Sequence, residues 1–380
     1  MPTAGPRVLL VGDFPPPYGG VAVHVEVIRR AVRANGGSCT VLDIGKGQLP
    51  ADGVLLAGGY AGFAASLFAY AMRGYRIHVH TSGANPKSWA LAATCAVAAR
   101  VGRVAPLITF HSGLGPGWLA EDPFRARVAC TVASAYARVI AVSEPIREAL
   151  LTCGVSSHRV EVLPAFSFSF LEAGDPPPGF RELRRDAAPL YCAMLAQAPV
   201  YGAESLLRAF AEVHARNPRA RLALYGRATA DLDLARAAGR AAHAVRVFGE
   251  LRRPAALAVI AASDVYVRPT LADGDSVSVR EAVALGRTVV ATSVGTRPPE
   301  AILVPPGDSA ALAAALLRVG EAGPMLRVAP DAAAQPTSDC VRRLLELYGF
   351  AAVQETVPAK RPVHAREFVE GSACAASAAS

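Results

Sequence analysis

The chain has 380 residues, 52% hydrophobic and 18% charged, a length that suits two domains and a composition that excludes a disordered or low-complexity protein. Lysine and arginine number 39 against 31 acids, a formal charge of +8 that favours anionic partners such as nucleotides or phospholipid surfaces. No basic run interleaved with aromatics is present, so nucleic acid is not an expected partner.

Seven cysteines without a C-x-x-C pair argue against a disulfide scaffold and against a zinc site. The opening MPTAGPRVLLVGDF lacks the charged start and long apolar core of a signal peptide, and a cytoplasmic, reduced protein is expected.

Residues 7–11, RVLLV, are a short continuous apolar run, the pattern of a strand buried on both faces. The loop GDFPPPYGG follows, then helical spacing over 21–34 stopped by Asn35-Gly36-Gly37, then a strand over 39–44. Strand, glycine loop, helix and strand open a doubly wound sheet. Residues 54–72 carry no charge and are long enough in principle to span a bilayer, but they are rich in Gly and Ala and poor in Leu and Ile. They are read as a buried strand or turn plus a core-packed helix, with surface contact to a membrane left open. Further strands are expected at 77–80, 107–110, 138–142 and 160–163, and helices at 88–101, 120–136 and 144–153, the last capped by Ser143 and Glu144.

GDPPPG at 174–179 is linker chemistry. A second alternating set follows, with strands at 190–195, 221–225, 245–248, 264–267 and 287–292 and helices at 203–217, 254–262 and 309–319. A short helix is expected at 338–348. The layout is α/β, with two facing Rossmann-like domains: 1–170, a linker at 171–188, a second domain at 189–330, a C-terminal helix within 336–350, and a tail at 356–380 expected to be disordered. Ligands of such sheets bind outside the carboxyl ends of the strands, here an interdomain cleft.

The stretch 266–286, YVRPTLADGDSVSVREAVALG, combines a strand, a polar glycine loop and a helix start. Loop amides and the positive end of the helix suit phosphates, and the carboxylates of Asp273 and Glu281 suit sugar hydroxyls. Ser278 and Glu281 also fit a capping box, in which Glu281 only closes the helix.

The chain resembles the GT-B fold glycosyltransferases, specifically the retaining family 4 group, over about residues 7–320. The resemblance lies in PPPYGG at 15–20, ITFHSG at 108–113, VIAVSEPIREAL at 139–150, GAESLLRAF at 202–210, FGEL at 248–251, SDVYVRP at 263–269, DGDSVSVREAVALGRTVVATSVG at 273–295 and LVPPGD at 303–308. The family's two-acid signature falls on Asp273, a methylene shorter than the usual Glu, and Glu281. The resemblance implies that Asp273 binds the donor sugar and Glu281 the ribose, with Gly274, Asp275, Ser276, Val277 and Ser278 presenting phosphate-facing amides. It places His111 near the reacting sugar, Gly19 and Gly20 beside the donor phosphate, and Gly249 to Leu251 along the nucleotide base. His78 and His80 are read as core or cleft-lining groups.

One departure stands out. Where the family carries an Arg and a Lys against the diphosphate, this chain has Met194 and Tyr201. A departing diphosphate needs positive charge, so Arg268 is expected to substitute, then Arg227, with Arg280 or Arg252 assisting.

The expected activity is transfer of a hexosyl group from a UDP- or GDP-sugar to a lipid-linked or oligosaccharide acceptor, without a metal or other cofactor, at the inner face of the cytoplasmic membrane. A non-catalytic subunit of the same fold that binds a sugar nucleotide or glycan is the alternative. A nicotinamide-dependent dehydrogenase is excluded because G-x-G-x-x-G is missing after the first strand.

Overall fold

The structure, a computed structural model, describes residues 5–47, 49–167, 171–196, 199–322 and 340–350. The expected tail, residues 323–330 and residues 336–339 lie outside them. The chain divides into two compact units, one built from the described residues up to 167 with 273–275 and 340–350, the other from 171–272 and 276–322.

The first unit runs β1 (Arg7–Gly12), α1 (Gly20–Ala34), β2 (Ser38–Asp43), β3 (Val54–Leu56), α2 (Gly59–Met72), β4 (Arg76–Thr81), α3 (Pro86–Gly102), β5 (Leu107–Phe110), α4 (Gly115–Ala120), α5 (Pro123–Ser134), β6 (Arg138–Ala141), α6 (Glu144–Thr152) and β7 (Val160–Val162). Its strands are all parallel, in the order β3-β2-β1-β4-β5-β6-β7. Helix α1 buries Ala22, Val25, Ile28 and Val32, a stripe with the three-to-four spacing of one helix face. It stops where the Asn35 side chain donates to Ala31 O at 2.9 Å.

Three expectations needed correction in this unit. Strand β3 is a half-exposed edge strand rather than a buried one, and α2 buries only Phe63, Leu67 and Ala71. The single helix expected at 120–136 starts only at Pro123, because Asp122 accepts from Phe124 N at 2.8 Å and proline prefers the first helical turn. Ser143 does stand at the start of α6, yet its side chain makes no capping bond. Among the described residues no helix is long and apolar enough to cross a membrane.

The second unit runs α7 (Phe180–Asp186), β8 (Leu190–Met194), α8 (Ala203–Arg216), β9 (Arg221–Tyr225), α9 (Leu234–Ala238), β10 (Val245–Val247), α10 (Arg253–Ala262), β11 (Val265–Arg268), α11 (Val277–Ala284), β12 (Thr288–Thr292), β13 (Ile302–Val304) and α12 (Ser309–Glu321). Its parallel sheet has the order β10-β9-β8-β11-β12-β13. One face packs on Leu206, Phe210, Val213 and Leu316, the other on Phe180, Leu257, Ile260 and Val279. Burial on both faces is why these strands read as continuous apolar runs.

Half of the expected linker is therefore structural: α7 lies in it and drives Phe180 into the core. Asp264 is not part of β11. Its carboxylate takes both Arg184 guanidinium nitrogens at 3.0 Å and Leu190 N at 2.7 Å, fastening α7 to the sheet.

Helix α13 (Cys340–Tyr348) belongs to the first unit, where Arg343 donates to both carboxylate oxygens of Glu161 on β7 at 2.7 and 3.2 Å.

Candidate active site

In both sheets the strand order reverses direction beside the first strand, and ligands of open α/β sheets bind at that switch point. In the first unit the switch lies between β1 and β4. Gly12 ends β1, where a Cβ would come within 3.0 Å of His80 Cβ at the end of β4. Beyond it, Asp43 accepts from Phe14 N at 3.1 Å and Gly45 N at 2.8 Å and so holds the proline loop. Burial, and then Asp43 beside it, raises the pKa of Asp13. Gly20 is the first residue of α1, and Gly19 before it offers no capping side chain. A Cβ on Gly19 would meet nothing within 4 Å among the described residues, so no contact with them accounts for the glycine.

His111 follows β5, its N–H donating to Thr81 O at 3.0 Å and its Nε2 lying 3.1 Å from His80 Nδ1. The ring of His24, on α1, lies 5.4 Å from that of His80 and 5.3 Å from that of His111. The His78 ring is 4.2 Å from that of His80, with Nε2 2.8 Å from Thr109 Oγ1 and Nδ1 bonded to the Tyr348 hydroxyl. Four imidazoles from α1, β4 and the end of β5 thus form one cluster, with His24, His78 and His80 buried and His111 half-buried, of which the sequence pointed to His111 alone as functional.

Loop residues Asp273–Asp275 belong to this same unit. A Cβ on Gly274 would lie 2.6 Å from His111 O, and one on Gly113 would lie 2.0 Å from Asp273 O. Only glycine permits main chains to approach so closely, and the approach brings the backbones of His111 and Asp273 together. Asp273 Oδ1 accepts the Gly274 N–H at 3.1 Å.

In the second unit the switch lies between β8 and β11, whose ends are Met194 and Arg268. Arg268 is 4% exposed, with its guanidinium 4.4 Å over the Tyr201 ring and Nη1 3.9 Å from Met194 Sδ. Near the same strand end, Arg297 Nη2 donates to Thr270 Oγ1 at 3.1 Å, a cation that sequence reasoning missed. Arg227 is exposed after β9. Gly249, with φ of 68°, accepts the Gly226 N–H, and Leu251 packs against the core.

The capping box is not formed. Ser276 precedes α11, while Ser278 lies inside it and accepts the Tyr266 hydroxyl at 2.7 Å. Glu281 instead accepts Arg253 Nε at 2.9 Å, both side chains being almost fully buried. Burial raises the Glu281 pKa, and Arg253 pulls it back. The sequence pointed to Arg252, which is exposed; the inward residue is its neighbour, the first of α10. Arg280 is half-buried on α11, and Val277 opens that helix.

A family model described as Glycosyltransferase Family 4 matches residues 18–166, and one described as Glycosyl transferases group 1 matches residues 188–321. The chain is a glycosyltransferase, with a family 4 domain followed by a group 1 domain. No curated protein gives a significant match. Among solved structures, Anabaena HepE in complex with UDP and glucose is 18% identical, with TM-score 0.66, covering 90% of this chain and 99% of its own. Trehalose-6-phosphate synthase OtsA is 15% identical, with TM-score 0.64 and coverage of 93% and 100%. Sucrose-phosphate synthase from Thermosynechococcus elongatus is 21% identical, with TM-score 0.60 and coverage of 90% and 96%. These likenesses give the glycosyltransferase the GT-B fold of two Rossmann-like domains.

Among the described residues of the glycosyltransferase, no group of three or more His, Cys, Asp or Glu is arranged to hold a metal ion. The histidine cluster does have a consequence for stability. Burial lowers the pKa of His24 to about 4 and of His78 to about 3, while His80 and His111 fall well below the usual imidazole value through burial and then neighbouring histidines. An unfolded chain protonates these rings near pH 6.5, so below that pH it binds more protons than the folded one and stability falls with pH. At about 1.4 kcal/mol per pH unit for each group, His24 alone should remove about 3 kcal/mol between pH 6.5 and 4. The raised carboxyls of Asp13, Asp43 and Glu281 oppose this trend. Urea midpoints should hold above pH 6.5 and drop below it; a flat profile down to pH 4.5 would contradict the buried neutral cluster.

Proposed function

We propose that this glycosyltransferase is a retaining hexosyltransferase that takes its sugar from a UDP- or GDP-sugar and passes it to a hydroxyl of a lipid-linked or oligosaccharide acceptor. The observation that carries the proposal is the seat of Arg268: its guanidinium lies against Met194 and Tyr201, the two positions where the resemblance expects Arg and Lys. The cation is present but arrives from the adjacent strand. Arginine suits the task, since its planar fork matches phosphate oxygens. HepE, of like fold, has been solved with UDP and with UDP-glucose.

In this scheme Arg268, the loop amides of Gly274, Asp275 and Ser276, and those of Val277 and Ser278 at the start of α11 stabilise the diphosphate as it leaves. Asp273 accepts bonds from the donor sugar, and Glu281, aimed by Arg253, accepts from the ribose. His111 contacts the reacting sugar, and no metal or other cofactor is needed.

A role in cell-surface polysaccharide or glycolipid synthesis, at the cytoplasmic membrane face, draws support from α2. Met72 is 67% exposed at the end of this uncharged helix, and the exposed Arg73, Arg100 and Arg103 lie where α2 and α3 end together. Apolar and basic groups in one place suit an anionic lipid surface.

The test is a thermal-shift screen against UDP, GDP, ADP and their sugars, followed by turnover with and without EDTA. A ligand that binds only the folded state raises Tm, and transfer should survive chelation. A Tm that no nucleotide raises would reject the donor assignment. Binding without turnover would favour the non-catalytic subunit, the reading that the apolar Met194 and Tyr201 would support. Absence of binding to anionic vesicles would remove the membrane role.

A further inference from the structure

We propose that His80 is a positioning residue for His111: its Nδ1–H donates to His111 Nε2 and holds His111 in the tautomer that carries its proton on Nδ1. The inference rests on the assignment of His111 to the reacting sugar in the proposed transfer.

The 3.1 Å separation of His80 Nδ1 and His111 Nε2 requires one nitrogen to donate and the other to accept. Burial keeps both rings neutral near pH 7, so each carries a single proton and two arrangements exist. If His111 donated from Nε2, the proton of His80 would sit on its Nε2, a buried atom with no hydrogen-bond partner among the described residues. An orphaned buried N–H is rarer than an orphaned acceptor. The arrangement with His80 as donor leaves only a lone pair unmet at that place.

The donor is also held still. His80 lies on β4 between β1 and β5, paired in register with Thr109. Its ring centroid lies 4.2 Å from that of His78, which is itself fixed at both nitrogens by Thr109 and Tyr348.

The consequence is chemical. With Nε2 engaged, His111 meets a ligand through Nδ1–H. It gives a hydrogen bond to a sugar or phosphate oxygen and has no free lone pair with which to take a proton, so it serves as a donor and not as a general base.

The test uses the full chain with 15N-labelled histidine and two variants. Long-range 1H–15N spectra of the wild type should show His111 protonated at Nδ1 and unprotonated at Nε2; the opposite pattern overturns the proposal. His80→Phe removes the donor, whereas the amide nitrogen of His80→Asn stands where Nδ1 stood. With folds matched by near-UV circular dichroism, His80→Phe should lower kcat by about 10- to 100-fold, the scale for groups that orient a functional imidazole, with little change in donor KM. His80→Asn should recover most of the loss. Wild-type activity in His80→Phe, or equal loss in both variants, overturns the proposal. If the wild type turned over no donor, the transfer assignment would fall while the tautomer spectrum still decided the role of His80.

Discussion

Glu281→Gln should abolish transfer and also weaken the fold, by about 3 kcal/mol, the lower part of the range for breaking a buried ion pair. The pair with Arg253 is buried on both sides, so neutralising the carboxylate strands a guanidinium away from water. The amide oxygen can still accept from Nε, which keeps the cost at the low end. Burial of the pair predicts a rescue as well. Adding Arg253→Met should restore part of the lost stability, because it removes the buried charge left without its counter-ion, while the introduced amide loses its arginine partner. Activity should not return, since the charged carboxylate proposed to hold the ribose hydroxyls is still missing. Urea unfolding and a product assay on the two single variants and the double variant check both halves. Full turnover in Glu281→Gln would remove Glu281 from the site. An unchanged midpoint would show the pair to be idle.

Arg268→Ala should cost about 1.5–3 kcal/mol in affinity for the nucleoside diphosphate, the scale of a hydrogen bond to a charged group. A stronger form of the experiment uses the position that Tyr201 occupies under the guanidinium. Tyr201→Lys added to Arg268→Ala should return part of the affinity, because the cation would come back to the same place from the other side. Calorimetry on the single and double variants reads the effect. An unchanged affinity in Arg268→Ala would end its assignment to the diphosphate. If Tyr201→Lys gave no recovery, the two positions would not share a ligand.

Most of the sheet framework was legible because strands buried on both faces leave a plain apolar signature. Residues 107–110 and 221–225 coincide with β5 and β9. The segment from Arg227 to Ala244 carries no legible pattern, since its two short 3-10 turns and the five-residue α9 are too brief to show a period. Strand β13 is a short strand at the sheet edge with Leu303 half-exposed, and it too lacks a plain buried-strand signature. At the site, the acidic and glycine positions stood out from their local pattern, but partners did not. Whether Arg252 or Arg253 turns inward depends on one residue of helix phase, which sequence alone does not set at a helix start. His24, His78 and His80 each look like an isolated core residue, and only the order β1-β4-β5 gathers them around His111.

That β8 and β11 are hydrogen-bonded neighbours, although about seventy residues lie between their ends, bears on how divergent members of this family should be sorted. What a leaving diphosphate senses is a spot in space, and the tips of two adjoining strands lie equally near it. A charge can then drift from one alignment column to another while the substrate notices nothing. Screens that discard sequences lacking the customary basic pair would throw out such chains as degenerate, whereas inspecting the adjoining strand tip, together with an aromatic shelf beneath it, would retain them.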